Sequence, residues 1–198
     1  MGERHRNMST SISAPLPVAS RTVTVPVEFF TGLQQAVHHP QGDRAVDGAA
    51  ASIDAIRDAG YAAGQALFDH FATWLQEQGE APAADLADER FPWLLEAFLH
   101  QQGWGRAELV PLSEAVMALD VSDWSEAGEL EGGCLITTGL FAGFFGRLAA
   151  APISVLEVAP PDMAPGRSRF LLGSVDVLEY VWEAMERGIP YERAAASA

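Results

Sequence analysis

The sequence predicts an α+β fold: an antiparallel sheet packed against one long helix and several further helices. Three observations predict it. A helical apolar stripe of unusual length fills residues 47–78. Two pairs of short alternating segments lie at 106–121 and 153–173. A glycine-spaced apolar helix separates the pairs.

The long helix is marked at both ends. Asp47 is a suitable cap and Gly79 a suitable left-handed stop. Its stripe runs Ile53, Ile56, Gly60, Ala63, Leu67, Phe71 and Trp74, in steps of three and four. At 1.5 Å per residue this helix is ~45 Å long and forms the spine of the domain. Gly60 and Gly64 sit mid-helix, where each costs about 1 kcal/mol relative to Ala, so a close packing contact is expected to compensate. Asp85 begins a second helical region. Pro92 restarts it as a helix running to about Gln102, with Gly103 as its stop. Residues 106–111 and 114–121 alternate and read as strands, although the second is rich in helix formers. The acidic run 120–131 reads as a solvated face. After the glycine-spaced helix come a strand over 153–159, a loop over 160–166, a strand over 167–173 and a helix from about Ser174 to Arg187. Gly188 and Pro190 close that helix. Upstream, residues 1–20 read as a disordered tail and 21–44 as a strand-and-helix extension. The domain proper spans 45–193.

Composition excludes several partners. Twelve basic residues, all Arg, stand against 27 acidic ones, for a net charge of −15. Such a chain repels phosphate backbones and anionic membrane surfaces, and no local Arg cluster offsets this. No apolar run reaches the ~20 residues that span a bilayer, and the first twenty residues lack the apolar core of a signal peptide. A single cysteine, Cys134, excludes an internal disulfide and a Cys-rich zinc site, and fits a cytoplasmic protein. Walker, dinucleotide-binding, HExxH and GxSxG motifs are absent, so no catalytic residue is assigned.

The segment from Cys134 through Thr138, Gly139, Gly143, Phe144, Phe145, Gly146 and Arg147 is the most informative. Three glycines four and three apart make one bare stripe, and apolar residues fill the other faces, so the helix is expected to be buried. With the following Ile-Ser-Val-Leu-Glu157-Val strand and the Gly166-x-x-x-Phe170 turn, it resembles the 4-vinyl reductase domain family. That family shares its fold with TRAPP vesicle-tethering subunits and occurs in aromatic-sensing transcription activators and in bacteriochlorophyll-synthesis proteins. The resemblance covers roughly residues 45–193. It implies a dimeric, ligand-binding domain, and it implies that Cys134 is comparable to a cysteine acylated in some TRAPP relatives. Some sensors of the family hold zinc through the strand glutamate and nearby cysteines. Here Pro160, Ser168 and Arg169 occupy that neighbourhood, so no zinc is expected at Glu157.

Candidate site residues follow from these readings. The aromatics Phe71, Trp74, Phe98, Trp104, Phe141 and Phe145 either fill the core or line a cavity for an apolar or aromatic ligand. Cys134, at a helix start, is either a reactive thiol or a small buried apolar group. If the last hairpin centres on Met163, Glu157 faces Arg169 and the two form a cross-strand ion pair. Alternatively Arg147, Arg167 and Arg169 meet a ligand carboxylate. His100 reads as a cation capping a helix end.

The leading functional reading is a non-catalytic sensor that binds an apolar molecule in its core. A chain of this length leaves no room for an output domain beside it, so the signal would pass to a partner protein. The alternatives are an interaction scaffold like a TRAPP subunit and an accessory factor in tetrapyrrole synthesis.

Overall fold

The computed structural model describes residues 30, 32, 47–126, 133–160 and 166–198. Helix α1 is Asp47–Glu77, a 3-10 turn is Ala83–Asp85, and helix α2 is Arg90–Gln101. Strands β1 (Arg106–Pro111) and β2 (Met117–Ser122) precede helix α3 (Leu135–Ala149). Strands β3 (Ser154–Val158) and β4 (Arg167–Gly173) follow, then helices α4 (Val175–Glu186) and α5 (Tyr191–Ala195). The sheet has the order β1-β2-β4-β3, and every neighbouring pair is antiparallel. The α+β expectation is borne out.

The sheet is covered on both faces, because its strands alternate between two apolar clusters. Ala107, Leu109, Leu119, Val121, Phe170 and Leu172 face α1, α2 and α3. Ala118, Val158 and Leu171 face the other way, onto Leu178, Val181 and Ala184 of α4 and onto Tyr191 and Ala194 of α5. The expected 1–20 tail and most of the 21–44 extension lie outside the described residues. Phe30 and Gly32 are helical, and Phe30 packs on Trp104 with ring centroids 5.8 Å apart.

Local signals decide the element ends. Gly79 stands at φ +73°; it donates to Gln76 O while Glu80 donates to Leu75 O. This pair of bonds satisfies the last carbonyls of α1, and α2 and α4 end in the same pattern at Gly103 and Gly188. The start of α2 differs from the reading at Asp85. That residue belongs to the 3-10 turn, and α2 begins at Arg90, so Pro92 lies in its first turn, where no N–H is needed. β2 begins at Met117 rather than at 114. Ser113 Oγ takes the N–H groups of Ala115 (3.3 Å) and Val116 (3.1 Å), which uses those residues for the turn.

Helices α1 and α3 cross in direct backbone contact. Gly60 and Gly64 meet the backbone of Ile136 and Leu140, while Gly139 and Gly143 meet that of Arg57 and Tyr61. A Cβ on any of the four would lie 2.0–2.4 Å from a carbonyl oxygen. The third glycine of the stripe is not part of this backbone contact: a Cβ at Gly146 would meet nothing nearer than Ala151 O, at 3.4 Å, and from α1 only the Tyr61 hydroxyl, at 3.9 Å. Helix backbones cannot retreat as a flexible side chain can. Gly64→Ala or Gly143→Ala is therefore expected to cost at least about 2 kcal/mol in urea denaturation. Gly146→Ala is expected to stay within about 1 kcal/mol of the parent. Equal effects at 143 and 146 would refute this account of the crossing.

Candidate functional site

Helix α3 runs through the core with a polar, closed end and an apolar, open end. Both ends are built by residues distant in sequence.

At its N-terminus, Cys134 caps the helix without a side-chain bond. Two carboxylates satisfy the leading N–H groups instead. Glu126 accepts from Ile136 N (3.0 Å) and Thr137 N (2.6 Å), and Glu157 Oε2 accepts from Cys134 N (2.7 Å). Gly133, at φ +75°, leaves room for Glu157: a Cβ there would lie 2.6 Å from the carboxylate oxygen. Trp124 Nε1 donates to Thr137 Oγ1 at 2.8 Å, which satisfies the two buried polar side chains together. Negative charge at a helix N-terminus is favourable, up to ~2 kcal/mol when partly buried. Glu126 is 5% exposed, so this residue departs from the solvated face expected of the acidic run; Asp123 is exposed as expected, and Glu129 and Glu131 lie outside the described residues.

These contacts define the state of Cys134. The thiol is buried, 4.0 Å from Ser168 Oγ. Burial raises its pKa well above the ordinary value of 9.0, and the charges of Glu157 and Glu126 raise it further. The helix start that ordinarily activates a thiol is already neutralised here by carboxylates. Nor do the residues fit a zinc ion. The Glu157 carboxylate is committed to the helix and Ser168 stands beside Cys134; among the described residues no group of three or more His, Cys, Asp or Glu is placed to hold a metal.

The expected Glu157–Arg169 pair does not form. The β3–β4 register sets Glu157 opposite Phe170 and Val158 opposite Arg169. The hairpin centre thus falls half a residue from Met163, the pairing slips by one, and the two side chains lie on opposite faces. Arg169 instead makes a two-pronged ion pair with Asp120, directly across on β2, at 2.5 Å, and donates to Tyr191 OH at 2.7 Å. The hydrogen bonds from Arg169 to Asp120 raise the guanidinium pKa. Arg169 is a latch for α5 on the far face of the sheet.

The candidate aromatics come together in one continuous set of ring contacts. Phe71 lies 5.1 Å from Phe98, 6.1 Å from Trp74 and 5.6 Å from Phe144. Phe141 reaches Phe145 (6.2 Å), Phe170 (5.2 Å) and, through Trp124, Trp104. Phe71, Phe98 and Phe141 are at most 2% exposed. The space among them is a small interstice bounded by Leu67, Leu95, Leu99, Leu140, Phe141, Phe144 and Phe145.

Open volume lies at the other end of α3. A groove of about 840 Å³ is bounded by the 83–92 segment, the β1–β2 hairpin, the last turn of α3 and the end of β4. Leu109, Met117, Phe145, Leu148, Ile153 and Leu172 form its apolar wall. Of the candidate residues only Phe145 lines it; Cys134 and Arg169 do not. Sequence reasoning missed the groove because four separated segments supply it. The alternation that points Leu109, Met117 and Leu172 to one face was its only signal. His100 is exposed in the last turn of α2, where a cation was expected.

The geometry defines a sheet sandwiched between helices, with a closed aromatic core and an open apolar groove. Solved structures share this fold. One is subunit 3 of a trafficking protein particle complex from Naegleria fowleri, solved covalently bound to palmitic acid. It is 14% identical, with a TM-score of 0.52, over 74% of this chain and 91% of that one. Another is the phenol-responsive sensory domain of the transcription activator PoxR, solved with phenol. It is 11% identical, with a TM-score of 0.52, over 85% and 81%. No family model matches the sequence, and no curated protein matches it. The TRAPP-like fold expected from the sequence is thus shared. No helix among the described residues is long and apolar enough to cross a membrane.

Two outcomes follow. Glu126→Gln keeps an acceptor but removes its charge, and is expected to cost ~1–2 kcal/mol in urea denaturation. Glu96→Gln, at an exposed site, should shift stability by less than about 0.5 kcal/mol. Native Cys134 is expected to react with iodoacetamide at pH 8 on the order of 100-fold more slowly than in urea, since the thiolate is the nucleophile. A raised folded pKa also means that stability falls as pH rises past about 9.0, where the unfolded thiol ionises first. Cys134→Ala should reduce that alkaline slope, leaving the part that Tyr191, also raised by burial, contributes above about 10.0, and rapid native alkylation would contradict the assignment.

Proposed function

We propose that this chain is a non-catalytic binding domain that takes an apolar or aromatic small molecule and signals to a partner protein. The observation that carries this reading is the 840 Å³ groove, walled by Leu109, Met117, Phe145, Leu148, Ile153 and Leu172. Concave, mostly apolar sites of this size are where small ligands bind. The fold supports the reading, since one neighbour is a sensory domain solved with phenol. The groove abuts the ring cluster through Phe145, which lines both the groove and the interstice behind it. An occupant would therefore press on the end of α3, and the ligand sits beside the aromatic core rather than within it. Covalent acylation at Cys134 is the weaker reading, because its thiol is buried and holds its proton, with two carboxylates near. The homodimer and the protein partner belong to this proposal, as does the domain span 45–193.

The test is thermal unfolding with a neutral probe, 4-phenylbutan-1-ol. At a concentration 100 times Kd, binding to the folded state stabilises by ~2.7 kcal/mol. The parent is expected to show a clear rise in Tm. Met117→Trp, which fills the groove, is expected to show none. An unchanged parent would overturn the proposal, and an equal rise in both proteins would place the ligand elsewhere. Native mass spectrometry of the purified protein then gives the mass of any non-covalent occupant.

A further inference from the structure

We infer that the groove selects for the charge of its ligand: it favours an apolar molecule with a protonated amine end and discriminates against the matching carboxylate. The inference rests on the groove being the binding site and adds the chemistry of its mouth. Among the residues that line it, the charged ones are Asp88 and Glu114, both exposed at the rim, and none is basic. The nearby arginines are committed elsewhere. Arg90 pairs with Glu80 and lies over the Trp93 ring, and Arg147 pairs with Asp69 at 2.5 Å. Arg169 is on the far face of the sheet, bound to Asp120. The expectation that arginines meet a ligand carboxylate therefore fails at this groove.

Helix ends at the mouth do not supply the missing positive charge. α2 begins here, but Pro92 has no N–H, and those of Arg90 and Phe91 are directed to Ala87 O. α4 begins here too, yet Ser174 Oγ takes the N–H of Val177, and Asp176 adds a carboxylate to its first turn. Ser113 Oγ likewise accepts two backbone N–H groups within its own turn. α3 ends here, at Ala149; the N–H groups of Ala150 and Ala151 donate to the Arg147 and Gly146 carbonyls, and the rest of its carbonyl end contributes negative partial charge. An incoming ammonium thus meets two carboxylates and a helix C-terminus, whereas a carboxylate meets repulsion without a paired cation.

Isothermal titration at pH 7 with three probes of one shape separates the possibilities: 4-phenylbutylamine, 4-phenylbutan-1-ol and 4-phenylbutanoate. The amine is expected to bind several-fold tighter than the alcohol, and at least tenfold tighter than the carboxylate. In the double variant Asp88→Asn, Glu114→Gln the amine-to-carboxylate ratio is expected to fall at least threefold, with alcohol binding unchanged. Both changes are at exposed positions, and the variant retains most of the net charge, so such a fall belongs to the rim rather than to the whole protein. Equal binding of all three probes, or a ratio unmoved in the variant, would overturn charge selection while leaving the groove as a binding site. Failure of all three, the neutral alcohol included, would overturn the groove reading itself.

Discussion

The structure depends on one contact, the crossing of α1 over α3 with no side chain between them at Gly60, Gly64, Gly139 and Gly143. Two helices that approach this closely exclude water and gain dispersion contacts along their backbones, and this offsets the conformational cost of mid-helix glycines. The crossing also fixes where everything else lies. With α3 pressed against α1, Phe141 meets Phe170 of the sheet, and Phe144 meets Phe71 on α1 itself. The aromatic cluster is a consequence of the glycines.

The two ends of α3 show how one buried helix is made tolerable. Its leading N–H groups are out of reach of solvent, and two carboxylates satisfy them: one from the loop before the helix, one from the strand after it. At the far end, beside the groove, the N–H groups of Ala150 and Ala151 donate to the carbonyls of Arg147 and Gly146. The sealed end is thus held by side-chain carboxylates and the open end by the chain's own backbone.

Much of the fold was legible in the sequence, for reasons tied to particular residues. Gly79, Gly103 and Gly188 mark helix ends because few other residues adopt the left-handed turn those ends require. The 3.6-residue stripe from Ile53 to Trp74 and the four-residue glycine spacing are local signals. What was not legible depends on pairing at a distance. A hairpin centre misplaced by half a residue exchanged the faces of Glu157 and Arg169. Nothing near Glu126 in the sequence marks it as a cap for a helix ten residues on, and its acidic neighbours point to solvent instead. The candidate site was half legible. The aromatics do assemble, but the space lies beside them, where segments from four parts of the chain converge.

A contact without side chains has no rotamers to change. Most helix interfaces absorb small displacements by repacking, so a push on one helix fades before it reaches the next. At the α1–α3 crossing carbonyl oxygens face α-carbons, and there is nothing between them to yield. The two helices are therefore geared together without slack. Relative movement of α3 and α1, a helix 31 residues long, would need the backbones themselves to separate.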